Sequence, residues 1–192
     1  MAPLLILDGL AGGPAVRAAL MFSGESKTPV TNPTSVDNIL YRTFRPGDEA
    51  AFARLNEAWI TKYFAPEPDD YAVLNDPKTH ILDPGGQICI AALRGETIGC
   101  CALIVIEPGV LELAKMTVSE SVRGNGVGRK LLQFAIDEAR RKGAHRLCLE
   151  SNTKAAAAIH LYEQLGVRHL SAPAHQPKHA RANVFMELQL DI

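Results

Sequence analysis

Residues 118–130 read VSESVRGNGVGRK, with glycines at 124, 126 and 128, Arg123 before them and Arg129 and Lys130 close behind. The segment on its N-terminal side, VLELAKMTV (110–118), is apolar enough for a buried strand. On its C-terminal side, Val127, Leu131, Leu132, Ala135, Ile136 and Ala139 recur at helical spacing up to Lys142, and Gly143 follows as a stop. A strand that turns through glycines into a long helix presents free backbone N–H groups and the positive end of the helix dipole, a site for a phosphate. The dinucleotide pattern G-x-G-x-x-G fails here: from Gly124 it meets Arg129, and from Gly126 it meets Leu131. A P-loop fails too, since no Lys-Ser or Lys-Thr follows the glycines.

Outward from this loop the chain alternates elements in a mixed order. ILYRTF (39–44) reads as a strand and Arg45-Pro46-Gly47-Asp48 as a turn, with Asp48 placed to cap a helix bearing Phe52, Leu55, Trp59 and Tyr63 on one face. A short helix near 69–75 and then loop lead to strands QICIAAL (87–93) and TIGCCALIVIE (97–107), joined by a tight turn at Arg94-Gly95-Glu96. After the glycine-loop helix come strand HRLCLE (145–150), a helix from about Lys154 to Leu165 that stops at Gly166, then VRHL and ANVFMELQL (182–190) as closing strands. Consecutive strands inserted between strand–helix units predict an α+β fold, a mixed and mostly antiparallel sheet with helices on both faces.

Composition narrows the function. The 192 residues carry a formal net charge of −1 with both signs interspersed, which argues against nucleic acid as partner. No apolar run approaches the ~20 residues of a membrane helix, and the apolar start Pro3 to Leu7 is too short and lacks the basic residues of a secretory leader. A cytoplasmic protein is expected. Cys89, Cys100, Cys101 and Cys148 form no C-x-x-C; adjacent Cys100 and Cys101 point to opposite faces of a strand, so buried free thiols are the expectation. Residues 1–37 are polar, rich in Ser, Thr and Pro and aperiodic after Met21, and are expected to form a flexible arm ahead of a folded domain at 38–192.

Arg123-x-x-Gly126-x-Gly128 between strand and helix resembles the acetyl-CoA loop of the GCN5-related N-acetyltransferase (GNAT) superfamily. The second half strengthens the likeness: Leu149-Glu150-Ser151-Asn152 is followed by AAAAIHLYEQLGV, with Tyr162 four residues before Gly166, though Val167 stands where the family often has Phe. The resemblance covers about residues 39–190. It implies an acetyl-CoA-dependent N-acetyltransferase of the GNAT fold, moving an acetyl group to a primary amine of a small molecule or peptide in a ternary complex. The alternative is a non-catalytic module of that fold that senses acyl-CoA.

By the same resemblance, acetyl-CoA is the co-substrate and no metal is required. Arg123, Gly124, Asn125, Gly126, Val127, Gly128 and Arg129 would hold its pyrophosphate, with Asn152 also on the cofactor side. The N–H groups of Met116 and Val118 would meet pantetheine and polarise the thioester carbonyl, where the strand at 110–118 splays from that at 145–150. Tyr162 would protonate the departing thiolate, and Glu112 or Glu150 would take the acceptor's proton through a water. The acceptor would dock against Trp59, Tyr63, Phe64, Tyr71 and 171–182, as a monomer or homodimer. His175 and His179 have metal-like spacing but no third ligand nearby in sequence, and read as loop histidines.

Overall fold

The computed structural model describes residues 38–177 and 179–191. The expected arm at 1–37 lies outside them. The elements are β1 (Leu40–Thr43), α1 (Glu49–Tyr63), α2 (Pro68–Asn75), β2 (Gln87–Leu93), β3 (Glu96–Glu107), β4 (Val110–Val118), α3 (Val127–Arg141), β5 (Arg146–Ser151), α4 (Ala156–Gln164), β6 (Arg168–His169) and β7 (Val184–Gln189). They build a seven-stranded sheet of order β1-β2-β3-β4-β5-β7-β6 in which only β4 and β5 run parallel. The mixed, mostly antiparallel sheet is the predicted one.

Strand alternation sorts the core into two layers. Ile88, Ile90, Cys100 and Ala102 pack with Phe52, Leu55, Ile60 and Leu74 of α1 and α2 on one face. Cys89, Ala91, Cys101 and Leu103 pack with the apolar stripe of α3 and with Tyr162 of α4 on the other. Cys100 and Cys101 therefore do face opposite ways, and all four thiols are buried and free. The β2–β3 hairpin turns on positive φ at Arg94 (52°) and Gly95 (85°), the backbone a two-residue turn of the I′ kind needs.

Two helix ends explain sequence spacings. After α3 the Ala144 N–H reaches Ala139 O (3.1 Å) and the Gly143 N–H reaches Arg140 O (2.8 Å), with Gly143 at φ 75°. The same pattern closes α4: Val167 N–H to Tyr162 O (3.1 Å) and Gly166 N–H to Glu163 O (3.0 Å), with Gly166 at φ 84°. This double bond around a left-handed glycine packs the residue after the glycine against the one four before it. The Tyr-x-x-x-Gly-Val spacing thus anchors Tyr162 in the core, with Val167 beside it in the same cluster.

Some local expectations fail. Asp48 stands at the N-cap of α1 but makes no capping bond; its carboxylate takes the Arg42 guanidinium (2.6 and 2.8 Å) and the Arg45 N–H (2.8 Å), because a charge-assisted pair outbids helix amides. The loop after α2 contains a π-helical turn, Lys78–Leu82, built around buried Ile81. The helix expected from Lys154 opens as a 3-10 turn, Thr153–Ala155, capped by Asn152, whose Oδ1 accepts the Lys154 N–H (2.9 Å).

Candidate active site

The site grows from a defect in β4. Opposite β3, Ala114 faces Ala102 and Thr117 faces Cys100, so Lys115 and Met116 together oppose Cys101 alone. This is a β-bulge, and Lys115 takes its left-handed backbone at φ 49°. The extra residue shifts the alternation: Leu111 and Leu113 before it, and Met116 and Val118 after it, all lie on the α3–α4 face. Just before the bulge β4 also leaves β5. The parallel pairing stops at Glu112 and Cys148, although β4 continues to Val118 and β5 to Ser151. The Ser119 N–H is spent on Ile98 O (2.7 Å), so strand alternation turns the Val118 and Met116 N–H groups to the other edge, into the gap.

An open groove of about 440 Å³ runs from this gap to the glycine loop. Met116, Val118, Arg123, Gly124, Gly126, Val127, Gly128 and Arg129, all expected on the cofactor side, line it. Gly126 is the N-cap of α3 in the left-handed conformation (φ 73°), and without a side chain it cannot cap, which leaves the first-turn amides to a ligand. The groove brings the first turn of α3, Arg123 and Arg129 to one opening.

The predicted cofactor residues divide on inspection. The Asn125 side chain folds back on the loop, donating to Val122 O and Arg123 O (both 3.2 Å), and does not line the groove. Arg123 lines it, yet its guanidinium is held by Glu120 (3.0 Å) and Val118 O (3.1 Å); Lys62 pairs with the same Glu120 from α1. Arg129 leans on Gln164 (3.1 Å). Asn152 lines an inner pocket instead of the groove, and its Nδ2 donates to Arg181 O (2.6 Å), binding β5 to the loop before β7.

That inner pocket, about 130 Å³, adjoins the groove and shares Trp59, Met116, Ala155 and Ala158 with it. All three predicted catalytic residues, Glu112, Glu150 and Tyr162, are on its wall. Glu112 and Glu150 flank the splay on the face turned away from the α3–α4 core, since their neighbours Leu111, Leu113, Leu147 and Leu149 point into that core. Tyr162 is only 6% exposed, and burial holds its hydroxyl well above the ordinary value near 10, with buried Cys101 adding to the shift. It stays protonated at any physiological pH.

Of the predicted acceptor wall, Trp59 and Phe64 line the inner pocket, Tyr63 lines the groove, and exposed Tyr71 lines neither. His175, read as a loop histidine, lies with Nδ1 3.6 Å from Glu150 Oε1. Ligand atoms of Glu112, Glu150 and His175 all lie within 4.8 Å of one another, a set that could pass on a proton or hold a cation. Sequence spacing offered His175 only His179 and no third ligand; the fold sets it beside Glu112 and Glu150 from different strands.

A second cluster escaped sequence reasoning. Fully buried Asp70 of α2 receives Arg181 Nη1 and Nη2 (2.7 and 2.8 Å), Lys115 Nζ (2.6 Å) and the Glu67 N–H (3.0 Å). Arg181 also reaches Glu67 (3.2 Å), and His179 stands beside both acids. Although burial opposes it, these donors hold the Asp70 carboxyl far below the usual carboxylate range. Burial, then Lys115 and Arg181, lower the His179 imidazole. Asp70 thereby ties α2 to the β4 bulge and to the loop before β7, which both line the inner pocket.

A family model for the acetyltransferase (GNAT) family matches residues 50–167. The chain belongs to this family. It is an acyltransferase by that membership. It is 31% identical over 131 residues to the uncharacterized N-acetyltransferase YjgM of Escherichia coli, covering 64% of this chain and 78% of that protein. Other curated relatives are matched over as little as 32% of their length. Among solved structures, a GNAT-family acetyltransferase from Staphylococcus aureus superimposes with a TM-score of 0.73 at 21% identity, covering 80% of this chain and all of that one (100%). Spermidine N-acetyltransferase from Vibrio cholerae, solved with CoA and spermine, gives 0.61 at 21% identity, covering 79% of this GNAT chain and 95% of its own. Among the described residues, no helix is long and apolar enough to cross a membrane.

Proposed function

We propose that this GNAT protein transfers an acetyl group from acetyl-CoA to a primary amine by direct attack in a ternary complex. The observation that carries this reading is the junction of three features at one splay: the uncapped N-terminus of α3, the open edge of β4 and the inner pocket bearing Glu112, Glu150 and Tyr162. A bound CoA thioester supplies an activated acyl carbon and a thiolate leaving group. The solved relative that holds CoA supports the choice of donor.

Each side chain then has a task. The amides of Val127, Gly128 and Arg129 and the dipole of α3 neutralise pyrophosphate, with Arg123 and Arg129 at the rim. The Met116 and Val118 N–H groups, aimed into the gap by the bulge, bind the pantetheine arm and polarise the acyl carbonyl. The acceptor arrives as an ammonium; Glu112 or Glu150 takes its proton, directly or through a water, and His175 beside Glu150 leads that proton out. Tyr162 donates a hydrogen bond to the sulfur as charge develops there. Because its hydroxyl is less acidic than a free phenol, whereas a thiol is more acidic (reference about 8.5), full proton transfer from Tyr162 is uphill. Stabilising the thiolate by a hydrogen bond is its larger contribution. The transfer does not need residues 1–37.

The test is CoA thiol release from acetyl-CoA across an amine and peptide panel, alongside thermal stabilisation by acetyl-CoA. Saturable release with at least one amine is the expected result. Stabilisation with no release from any acceptor would refute transfer and leave a binding module.

A further inference from the structure

We propose that Asn56 is an acceptor-binding residue, whose side-chain oxygen takes a hydrogen bond from an N–H of the incoming amine. The inference rests on the transfer reading and adds to it a contact on the α1 side of the inner pocket. Its ground is a buried amide of which the protein uses only the donor half.

Asn56 is the one polar residue on the buried face of α1, beside Phe52, Leu55 and Ile60, and is only 2% exposed. Its Nδ2 donates to Phe52 O (2.9 Å), one turn back, and to Cys100 Sγ (3.3 Å) on β3. The Cys100 thiol in turn donates to Lys115 O (3.7 Å) in the bulge. These partners fix which way the amide points. A backbone carbonyl only accepts, so the NH2 faces Phe52 O and the oxygen faces away from it. Both amide hydrogens are thereby spent. No described residue donates to Oδ1, and that atom is not sealed from the inner pocket that Asn56 lines. A buried amide costs stability unless its polar atoms are bonded, and a leucine here would continue the apolar row of α1 without that cost. The oxygen therefore serves a donor from outside the chain.

An amide oxygen accepts and cannot donate, so an amine or ammonium gains a bond from it where a carbonyl or carboxylate gains none. Trp59, Ile60 and Phe64, the pocket residues nearest it in the chain, supply no accepting side-chain atom, so Asn56 sets where along this wall a nitrogen is held. Glu112 and Tyr162 stand on the walls of the same cavity of about 130 Å³, which leaves the nitrogen little freedom to turn. A neutral oxygen does not compete for the proton. It holds the nitrogen while a base removes one hydrogen, and holds it more tightly as attack on the acyl carbon places positive charge there.

The experiment uses the full chain, labelled with carbon-13 and nitrogen-15 and saturated with CoA. It is titrated with propylammonium and with tetramethylammonium, which has the same charge and no N–H. In NMR spectra the Asn56 side-chain carbonyl carbon should move downfield with propylammonium and stay in place with tetramethylammonium. Asn56→Leu should weaken propylammonium binding by roughly 10- to 100-fold and leave acetyl-CoA affinity in calorimetry near wild type. A carbonyl signal that does not respond to propylammonium overturns the inference, and this is read on the wild-type protein whether or not the variant folds. So does an equal shift with tetramethylammonium, which would assign it to charge alone. So does a folded Asn56→Leu protein that binds propylammonium as tightly as wild type. Thiol release from acetyl-CoA with propylamine is read in parallel. The expected shift without release refutes transfer to that amine and upholds the contact; release with an unmoved carbonyl signal upholds transfer and refutes the contact.

Discussion

Asp70→Asn removes one charge from the best-defined buried cluster and little volume. In the wild-type protein the carboxylate accepts from two nitrogens of Arg181, from Lys115 and from the Glu67 N–H, with no exposure to water. The amide keeps one oxygen, turns an NH2 towards a cation, and leaves Lys115 buried without its counterion. Breaking a buried pair in this one-sided way costs about 3–5 kcal/mol. Lys115 also loses the contact that holds its left-handed backbone in the bulge. For a domain of this size each kcal/mol moves Tm by about 2–4 °C, so the midpoint should fall by roughly 10 °C. The sign of the pH dependence follows from the depressed carboxyl. Its stabilisation is complete above the unfolded value near 3.9 and is lost as pH falls towards the folded one. The deficit of Asp70→Asn should therefore be constant from pH 7 down to about 5 and shrink below about 4. Urea unfolding at several pH values, followed by the fluorescence of the single tryptophan, Trp59, measures it. A deficit under about 1 kcal/mol at pH 7, or one that does not shrink in acid, would refute the reasoning.

Three further perturbations address the proposed roles. Tyr162→Phe keeps the ring in its cluster and should lower kcat by about 10²–10³, while urea midpoint and acetyl-CoA affinity, measured on the same protein, stay near wild type. Gly128→Ala meets nothing closer than 3.5 Å and gains helix propensity of about 1 kcal/mol, so stability should hold or rise while acetyl-CoA binding weakens in calorimetry; Gly126→Ala, forced into a left-handed backbone at φ 73°, should lose about 1–2 kcal/mol. The buried thiols, with Cys89 and Cys100 pushed up to about 12 and Cys148 to about 11, should react with an aromatic disulfide at pH 8 only as fast as the native state opens, and at once in denaturant.

The order of strands and helices was legible because local rules and tertiary packing agree there. Bounds of β2 and β4 coincide with the apolar runs that announced them, and the stripe of α3 is the buried one. The left-handed glycines 143 and 166 stop both helices where the sequence placed their ends. Asp48 was misread because capping is a local preference worth about 1 kcal/mol, whereas Arg42 offers two charge-assisted bonds from a neighbouring strand. The π-helical turn at Lys78–Leu82 has no periodic signature at that length; it forms to bury Ile81.

The acceptor side was less legible, for a related reason. Glycine loops and helix starts announce themselves within a dozen residues, but Asp70 meets Lys115 across 45 positions and Arg181 across 111. In the sequence Lys115 is the one basic residue of VLELAKMTV, with nothing nearby to mark its partner. Its side chain is directed by the bulge, and a bulge is a property of two strands: β3 supplies one residue where β4 supplies two. The same defect turns Met116 and Val118 towards the groove, so the residue that supports the acceptor wall and those proposed to hold the acyl carbonyl share one backbone distortion. A substitution that relaxed the bulge would therefore move both at once. Acceptor selectivity and acyl polarisation in this protein should be coupled through Lys115 and its buried partner Asp70, neither of which need touch a reacting atom.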